Sequence, residues 1–392
     1  MSRSGTGGEP AAPPTLPVIL REWGRIGVIG FGGPPAHIGL LRRRCVDERG
    51  WLTADEFEDA VAACNLLPGP ASTQLAIYCA WRLRRRAGAL VGGAAFILPG
   101  LVIIVGLAAL FLAGSPPTWA AGLAAGAGAA VAAVAVRAGT SLVPTSWQRA
   151  ASGSRVRWIG YVVAGGVAAA TLGPWLVVVL LGCGVVEVLV AGWVPGRATA
   201  LAPFPWLAAA TAAAGGLASL AWVAFKVGAL SYGGGFVIVP LMQADAVRHY
   251  HWMTSAQFLN AVALGQVTPG PVVLTVAVVG YAAAGVGGAL LAAAVAFAPS
   301  FLFVLVGGSR LAAFRRDARA RLFLAGAGPC AIGAILGSAV PLALGLTEAW
   351  QFAVLGAAAV ALVVARRGIV ATLLGASLVG MVVALAGGAL PH

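Results

Sequence analysis

The chain has 392 residues, 60% of them hydrophobic and only 9% charged, at a mean hydropathy of +0.93. Soluble domains carry roughly 45–50% apolar and 25% charged residues, so these charges cannot coat a water-soluble enzyme of this size. The net charge of +13 is not a nucleic-acid footprint either, because the bases sit in short clusters between apolar runs, as they do in the loops of a multi-pass membrane protein.

In chain order, residues 1–17 are rich in Pro, Gly and Ser and predict a disordered tail, with no apolar signal-peptide core. Segment 18–41 follows, interrupted by Gly30-Phe31-Gly32-Gly33-Pro34-Pro35 and closed by Arg42, Arg43 and Arg44. Thr53-Ala-Asp-Glu56 is a capping box, so a helix starts near residue 54. Pro68-Gly69-Pro70 stops it, because proline lacks a donor and clashes with the preceding turn, and the helix restarts near Ser72. Arg82, Arg84, Arg85 and Arg86 end that segment.

Crossing about 30 Å of hydrocarbon takes roughly 20 apolar residues. Suitable runs are 88–113, 119–136, 158–173, 175–194, 206–224, 288–308, 322–345, 350–364 and 368–388. The odd five cysteines, scattered through apolar sequence, form neither a disulfide framework nor a metal pair.

An internal repeat organises the chain. Gly27, Phe31, Gly32, Gly33, Trp51, Thr53, Phe57, Pro68, Gly69 and Pro70 recur 201 residues later as Gly228, Tyr232, Gly233, Gly234, Trp252, Thr254, Phe258, Pro269, Gly270 and Pro271. Thr254-Ser-Ala-Gln257 repeats the capping box. The expected organisation is a tail at 1–17, a first repeat at 18–200, a linker with an extra transmembrane helix at 201–225, and a second repeat at 226–392.

The basic clusters do not repeat. Arg82 to Arg86 correspond to a Gly/Ala-rich stretch, and the Arg310 to Arg321 cluster corresponds to uncharged residues. Since Lys/Arg loops face the cytoplasm, the halves are inverted, and segment 206–224 supplies the additional crossing. The fold class is therefore an all-α polytopic membrane protein of two inverted-topology repeats with discontinuous, re-entrant helices. If 54–81 spanned the bilayer, Arg42 to Arg44 and Arg82 to Arg86 would lie on opposite faces, whereas a re-entrant hairpin keeps both cytoplasmic. Segment 18–41 is either a second re-entrant hairpin or a kinked crossing.

Irregular backbone at membrane depth survives only where protein or water satisfies it. Discontinuous helices of this kind build the substrate sites of inverted-repeat transporters, with half-helix N-termini aimed at anionic groups. The glycines allow close backbone approach. Arg25 and Lys226 are cations at equivalent positions, and intramembrane charge defaults to a functional reading; the competing reading has each snorkel or pair with a carboxylate such as Glu22.

The candidate substrate-binding set is Arg25, Phe31, Gly32, Gly33, Asn65, Pro68, Gly69, Pro70, Ser72, Thr73, Lys226, Tyr232, Gly233, Gly234, Gln266, Thr268, Pro269, Gly270 and Pro271, which suits a small tetrahedral dianion. Glu187 is a candidate for proton coupling or a snorkelling carboxylate. His37 is undecided between structure and function. His249-Tyr250-His251 reads as a solvated loop and not a metal site, and the acidic run Asp55 to Asp59 as a favourable helix start. No metal or cofactor is expected. Gly88-xxx-Gly92 and Gly122-xxx-Gly126 suit close packing within the bundle or across a homodimer.

FGGPPAHIGLL, then GWLTADEFEDAVAACNLLPGPASTQLAIYCAW, and the duplicated YGGGFVIVPLM with HWMTSAQFLNAVALGQVTPGPV resemble the chromate ion transporter family in its long two-domain form. The resemblance covers essentially 18–392. It implies a bacterial inner-membrane protein that exports chromate and confers chromate resistance, with sulfate as the isosteric competitor. The departure is Gln266-Val-Thr against Asn65-Leu-Leu before the Pro-Gly-Pro, so the half-sites need not contribute equally. No Walker A sequence or hydrolase motif appears, so the chain is expected to be neither an ATPase nor an enzyme. A sulfate or other divalent-oxyanion transporter and a passive anion channel are the alternatives.

Overall fold

Glycine and proline divide an apolar chain into helices in the computed structural model, which describes residues 13–65, 67, 69–112, 116–150, 154–172, 175–191, 216–231, 237–308 and 317–391. Helix α1, Leu16–Ile29, ends at Gly30. Gly32 and Gly33 reverse the chain at φ +96° and +74°, which only glycine adopts without strain. Pro34 and Pro35 then open α2, Pro34–Arg42, where a missing N–H has no helical acceptor to lose. Helix α2 runs into a π-helical turn, Arg43–Glu48.

Helix α3, Ala54–Cys64, carries the expected capping box: the Thr53 hydroxyl accepts from the Glu56 amide at 3.2 Å and the Glu56 carboxylate accepts from the Thr53 amide at 3.1 Å. Helix α4, Ala71–Phe111, breaks at Arg84 and Arg85. Its halves, 71–83 and 86–111, fold back on each other so closely that a methyl group on Gly88 would lie 2.1 Å from the Ala80 carbonyl oxygen. Helices α5, Thr118–Arg149, α6, Arg155–Thr171, and α7, Leu176–Ala191, complete the first repeat.

The second repeat reproduces this order. Its elements are α8, Leu217–Leu230; α9, Ile238–Gln243, with a π-helical turn Ala244–His249; and α10, Ser255–Val267, with its own capping box. A 3-10 turn, Val272–Leu274, leads into α11, Thr275–Gly307, which breaks at Ala284 and Gly285. Helices α12, Ala318–Leu344, α13, Ala349–Ala359, extended by a π-helical turn, and α14, Ile369–Leu385, follow. Both α1 with α8 and the two first π-helical turns keep the offset of 201; beyond Pro-Gly-Pro the kinks at Arg85 and Gly285 show one residue fewer in the second repeat.

Contacts across each break fix the topology. Glu56, at the start of α3, forms an ion pair with Arg82, at the end of the 71–83 leg. Both legs therefore emerge on one face, and 54–83 is the re-entrant hairpin expected from the charges. Helix α3 is about 16 Å long, half the hydrocarbon core. Likewise Glu22 of α1 pairs with Arg44, and Trp23 stacks on Trp51 at 6.4 Å, so 18–41 is a V-shaped hairpin and not a kinked crossing.

The long legs of α4 and α11 run antiparallel: Gly93, early in the 86–111 leg, meets Phe301, late in α11, and Gly308, which caps α11, meets Trp81 beside the α4 break. This is the inversion. Each half also holds the other's long helix: α6 and α7 pack on α12, while α13 and α14 pack on α5. Glycines make the crossings: a methyl group on Gly333 would lie 1.9 Å from the Val162 carbonyl oxygen, and one on Gly126 would lie 2.1 Å from that of Ala376. Gly88, Gly92, Gly122 and Gly126 are all used inside the bundle.

Three expectations shift. Residues 217–224 belong to α8, the counterpart of α1, so the second repeat begins at Leu217 and not at 226; residues 201–215 lie outside the described residues. Leu16 and Pro17 are already helical, and the Pro13 and Pro14 carbonyls accept from Arg84 at 3.1 and 2.7 Å, so what precedes α1 is anchored from Pro13. Helix α5 runs on to Arg149, well past the expected end at 136.

Candidate substrate site

The two Pro-Gly-Pro tips reach across the pseudo-two-fold axis into the opposite repeat. The Gly270 amide donates to the Gly30 carbonyl at 3.0 Å, joining the second tip to the first repeat's break. On the other side, a methyl group on Gly69 would lie 3.3 Å from the Gly228 carbonyl oxygen and 3.4 Å from the Ser300 hydroxyl. Gly69 and Gly270 adopt φ +120° and +96°, so no other residue fits without strain. Gly100, the counterpart of Ser300, leaves room for the Pro269 carbonyl at 2.4 Å from its missing methyl.

His37 sits fully buried behind this crossing. Its Nε2–H donates to the Gly30 carbonyl at 2.9 Å, a group that can only accept, so Nδ1, 3.2 Å from the Ser72 hydroxyl, accepts from it. The Phe96 ring meets the imidazole edge-on at 5.0 Å. One carbonyl, that of Gly30, thus gathers the α2 histidine and the opposite tip.

Around the tips, the hydroxyls of Thr73, Ser231 and Ser300 and the Gln266 side-chain nitrogen are buried with no hydrogen-bond partner. Each such group costs about 1–3 kcal/mol, and native interiors hold few of them. All four can donate. Helices starting after Pro70 and Pro271 add amides that lack helical acceptors. The Thr73 amide is not among them, since it donates to the Pro70 carbonyl at 2.9 Å; Thr73 offers its hydroxyl instead.

A family profile described as "Chromate transporter" matches residues 18–188 and 218–389. The chain belongs to the chromate transporter family. The two profile copies coincide with α1–α7 and α8–α14, the second starting inside α8 as the structural repeat does. A chromate transport protein of Cupriavidus metallidurans is 34% identical over 84% of this chain and 83% of its own length. One of Pseudomonas aeruginosa is 31% identical over 85% and 83%. A probable chromate transport protein of Synechococcus elongatus is 30% identical over 84% of each. No solved structure matches.

In this chain the fold brings together Gly33, Gly69, Pro70, Ser72, Thr73, Gln266, Pro269, Gly270 and Pro271 of the expected set. Pro68, Tyr232, Gly233 and Gly234 lie outside the described residues. Phe31 and Asn65 are exposed, whereas Gln266, the counterpart of Asn65, is buried, so these two equivalent positions differ in burial. The Thr268 hydroxyl is spent on the Leu264 carbonyl at 2.8 Å.

The paired cations are not brought together. Arg25 is exposed beside Glu22, Arg43, Arg44 and Glu48, and Glu22 pairs with Arg44 and Arg49 instead of Arg25. Arg43 donates to Glu48 at 2.8 Å and holds that carboxyl below its ordinary value. Lys226 is buried against Asp245 at 2.5 Å, with its ammonium 5.9 Å from the Trp222 ring centroid. Asp245 escaped the sequence reading; an acid in an apolar stretch, aligned with Arg44 at offset 201, was the available signal.

Glu187 lies in a separate cluster, where Arg157 grips both carboxylate oxygens at 2.8 and 3.0 Å and the Tyr161 hydroxyl donates at 2.9 Å. His249 packs its ring on Tyr250, and among the described residues no group of His, Cys, Asp or Glu is arranged to hold a metal.

Proposed function

We propose that this protein is a secondary active transporter that exports chromate across a bacterial inner membrane, conferring chromate resistance, and that it binds the dianion where the hairpin tips cross. The crossing itself carries the reading: two half-helix N-termini of opposite repeats, each bearing about half a positive charge, converge with unpaired hydroxyl and amide donors. That donor set suits the oxygens of a tetrahedral oxyanion. Relatives of 31–34% identity carry the name chromate transport protein.

The face holding Arg86, Arg149, Arg155 and Arg366 is cytoplasmic by the positive-inside rule. Movement of one inverted repeat against the other then exposes the crossing alternately to each side. Glu187 is the acidic candidate for proton coupling, since a proton there would release Arg157. Glu187→Gln is expected to abolish gradient-driven transport while leaving chromate counterflow.

The direct test is chromate uptake into everted membrane vesicles. Saturable, concentrative uptake that collapses with an uncoupler is expected. Strictly passive equilibration would show a channel, uptake of sulfate alone would shift the substrate, and no saturable oxyanion movement would refute transport altogether.

A further inference from the structure

The two V-shaped hairpins are clasped by ion pairs of reversed polarity. Arg44 and Asp245 are equivalent residues, each the second of its π-helical turn. Arg44 reaches back to Glu22 of α1, whereas Asp245 reaches back to Lys226 of α8. The first clasp is a partly exposed cluster, in which Arg44 also holds Glu48 at 2.5 Å and Arg49 joins Glu22. The second sets one carboxylate on one ammonium, with Asp245 2% and Lys226 8% exposed.

Stability does not explain the second clasp. A buried ion pair recovers its desolvation cost only with excellent geometry, and apolar replacement is frequently neutral or stabilising. Residue choice is equally pointed: of the 25 Lys and Arg, Lys226 is the single lysine and the other 24 are arginine. Arginine is the usual choice for a fixed buried pair, while an ammonium is a compact point charge with rotatable donors. π-Helical turns, which concentrate at functional sites, carry its partner.

Lys226 lies on the same helix, α8, as the residue that meets the first tip. It precedes Gly228, whose carbonyl meets the Gly69 tip, by two residues, and Ser231, with its unpaired hydroxyl, by five; five residues span about 7.5 Å of helix.

We propose that Asp245 is a built-in surrogate for the transported oxyanion: it holds Lys226, and a bound dianion takes Lys226 from it. The inference rests on the oxyanion-transport reading above. Ammonium hydrogen bonds to the Asp245 carboxylate break and equivalent bonds to oxyanion oxygens form, with no proton or electron transferred. The released carboxylate would be left buried without a counter-charge, which is strongly unfavourable. Exchange therefore proceeds only as the α8–α9 hairpin loosens and water reaches Asp245. Anion binding is thereby tied to opening of the face opposite the arginine clusters.

Binding of chromate and of sulfate to the full-length protein in detergent, together with flux in proteoliposomes, tests this. Asp245→Asn removes the competitor and is expected to lower the chromate Kd about tenfold, the scale of one charge-assisted contact, while slowing turnover. Lys226→Gln is expected to raise the Kd by at least as much. Lys226→Arg, which keeps the charge and so protects folding, is expected to hold Asp245 in a bidentate grip and weaken anion binding. A merely structural pair predicts the reverse: Asp245→Asn binding no tighter than wild type, Lys226→Arg indistinguishable from it, and a Lys226→Met, Asp245→Leu double variant transporting normally. Any of these overturns the exchange. If wild type carries chromate yet Asp245→Asn leaves Kd unchanged, the exchange fails and transport stands. If wild type carries only sulfate and Asp245→Asn tightens sulfate, the exchange stands and the chromate reading fails.

Discussion

At the scale of single residues, glycine and lone polar groups define the candidate site. Gly69 combines φ +120° with a Gln74 amide nitrogen 2.6 Å from where a methyl group would sit. Gly69→Ala therefore carries about 1–3 kcal/mol of backbone strain and pushes the tip away from Gly228. The expected outcome is a protein that inserts and purifies but has lost chromate flux, read in proteoliposomes beside thermal unfolding. Conspicuous residues such as Gly69 and Gly270 were legible in the sequence because strained turns admit few types. His37 and Asp245 were not, because one buried histidine or aspartate looks the same in sequence whether it supports a fold or a ligand; their partners, Gly30 and Lys226, are selected by folding.

At the scale of elements, proline and glycine set the helix ends, and glycine sets the crossings. The capping boxes at Thr53 and Thr254 and the restart at Ala71, one residue from the expected Ser72, followed from local rules. The 71–111 stretch did not. A tight reversal at Arg84 and Arg85 is carried by φ +50° at an arginine, a conformation with no sequence signature outside Gly, Asn and Asp. Crossing glycines differ from lipid-facing ones by neighbourhood alone: Gly333 touches the Val162 backbone, whereas nothing lies within 4 Å of a methyl group on Gly160. Gly333→Leu is expected to destabilise by about 1–3 kcal/mol or more through overpacking, and Gly160→Leu by less than about 0.5 kcal/mol. Thermal unfolding of the two detergent-solubilised variants separates them.

At the scale of the whole molecule, antiparallel α4 and α11 and the exchanged helix pairs place the basic ends together. Cysteines introduced at Arg86 and Arg366 are expected to react with an impermeant maleimide only from the cytoplasmic face, and those at Thr118 and Thr347 only from the opposite face. The native cysteines are all buried, and reaction of Arg86→Cys and Arg366→Cys from opposite sides would refute the inversion. The sequence by itself determined that the chain spans a membrane, that it is duplicated, that the copies are inverted and that each contains broken helices, because hydropathy, glycine and proline chemistry and arginine asymmetry are local or additive properties. Only the tertiary structure decided that each Pro-Gly-Pro tip crosses into the other repeat, that Lys226 is held by Asp245 while Arg25 faces outward, and that α8 belongs to the second repeat. Those outcomes depend on which surfaces meet, and in a chain that is apolar on nearly every face, periodicity does not say which side of a helix a neighbour will cover.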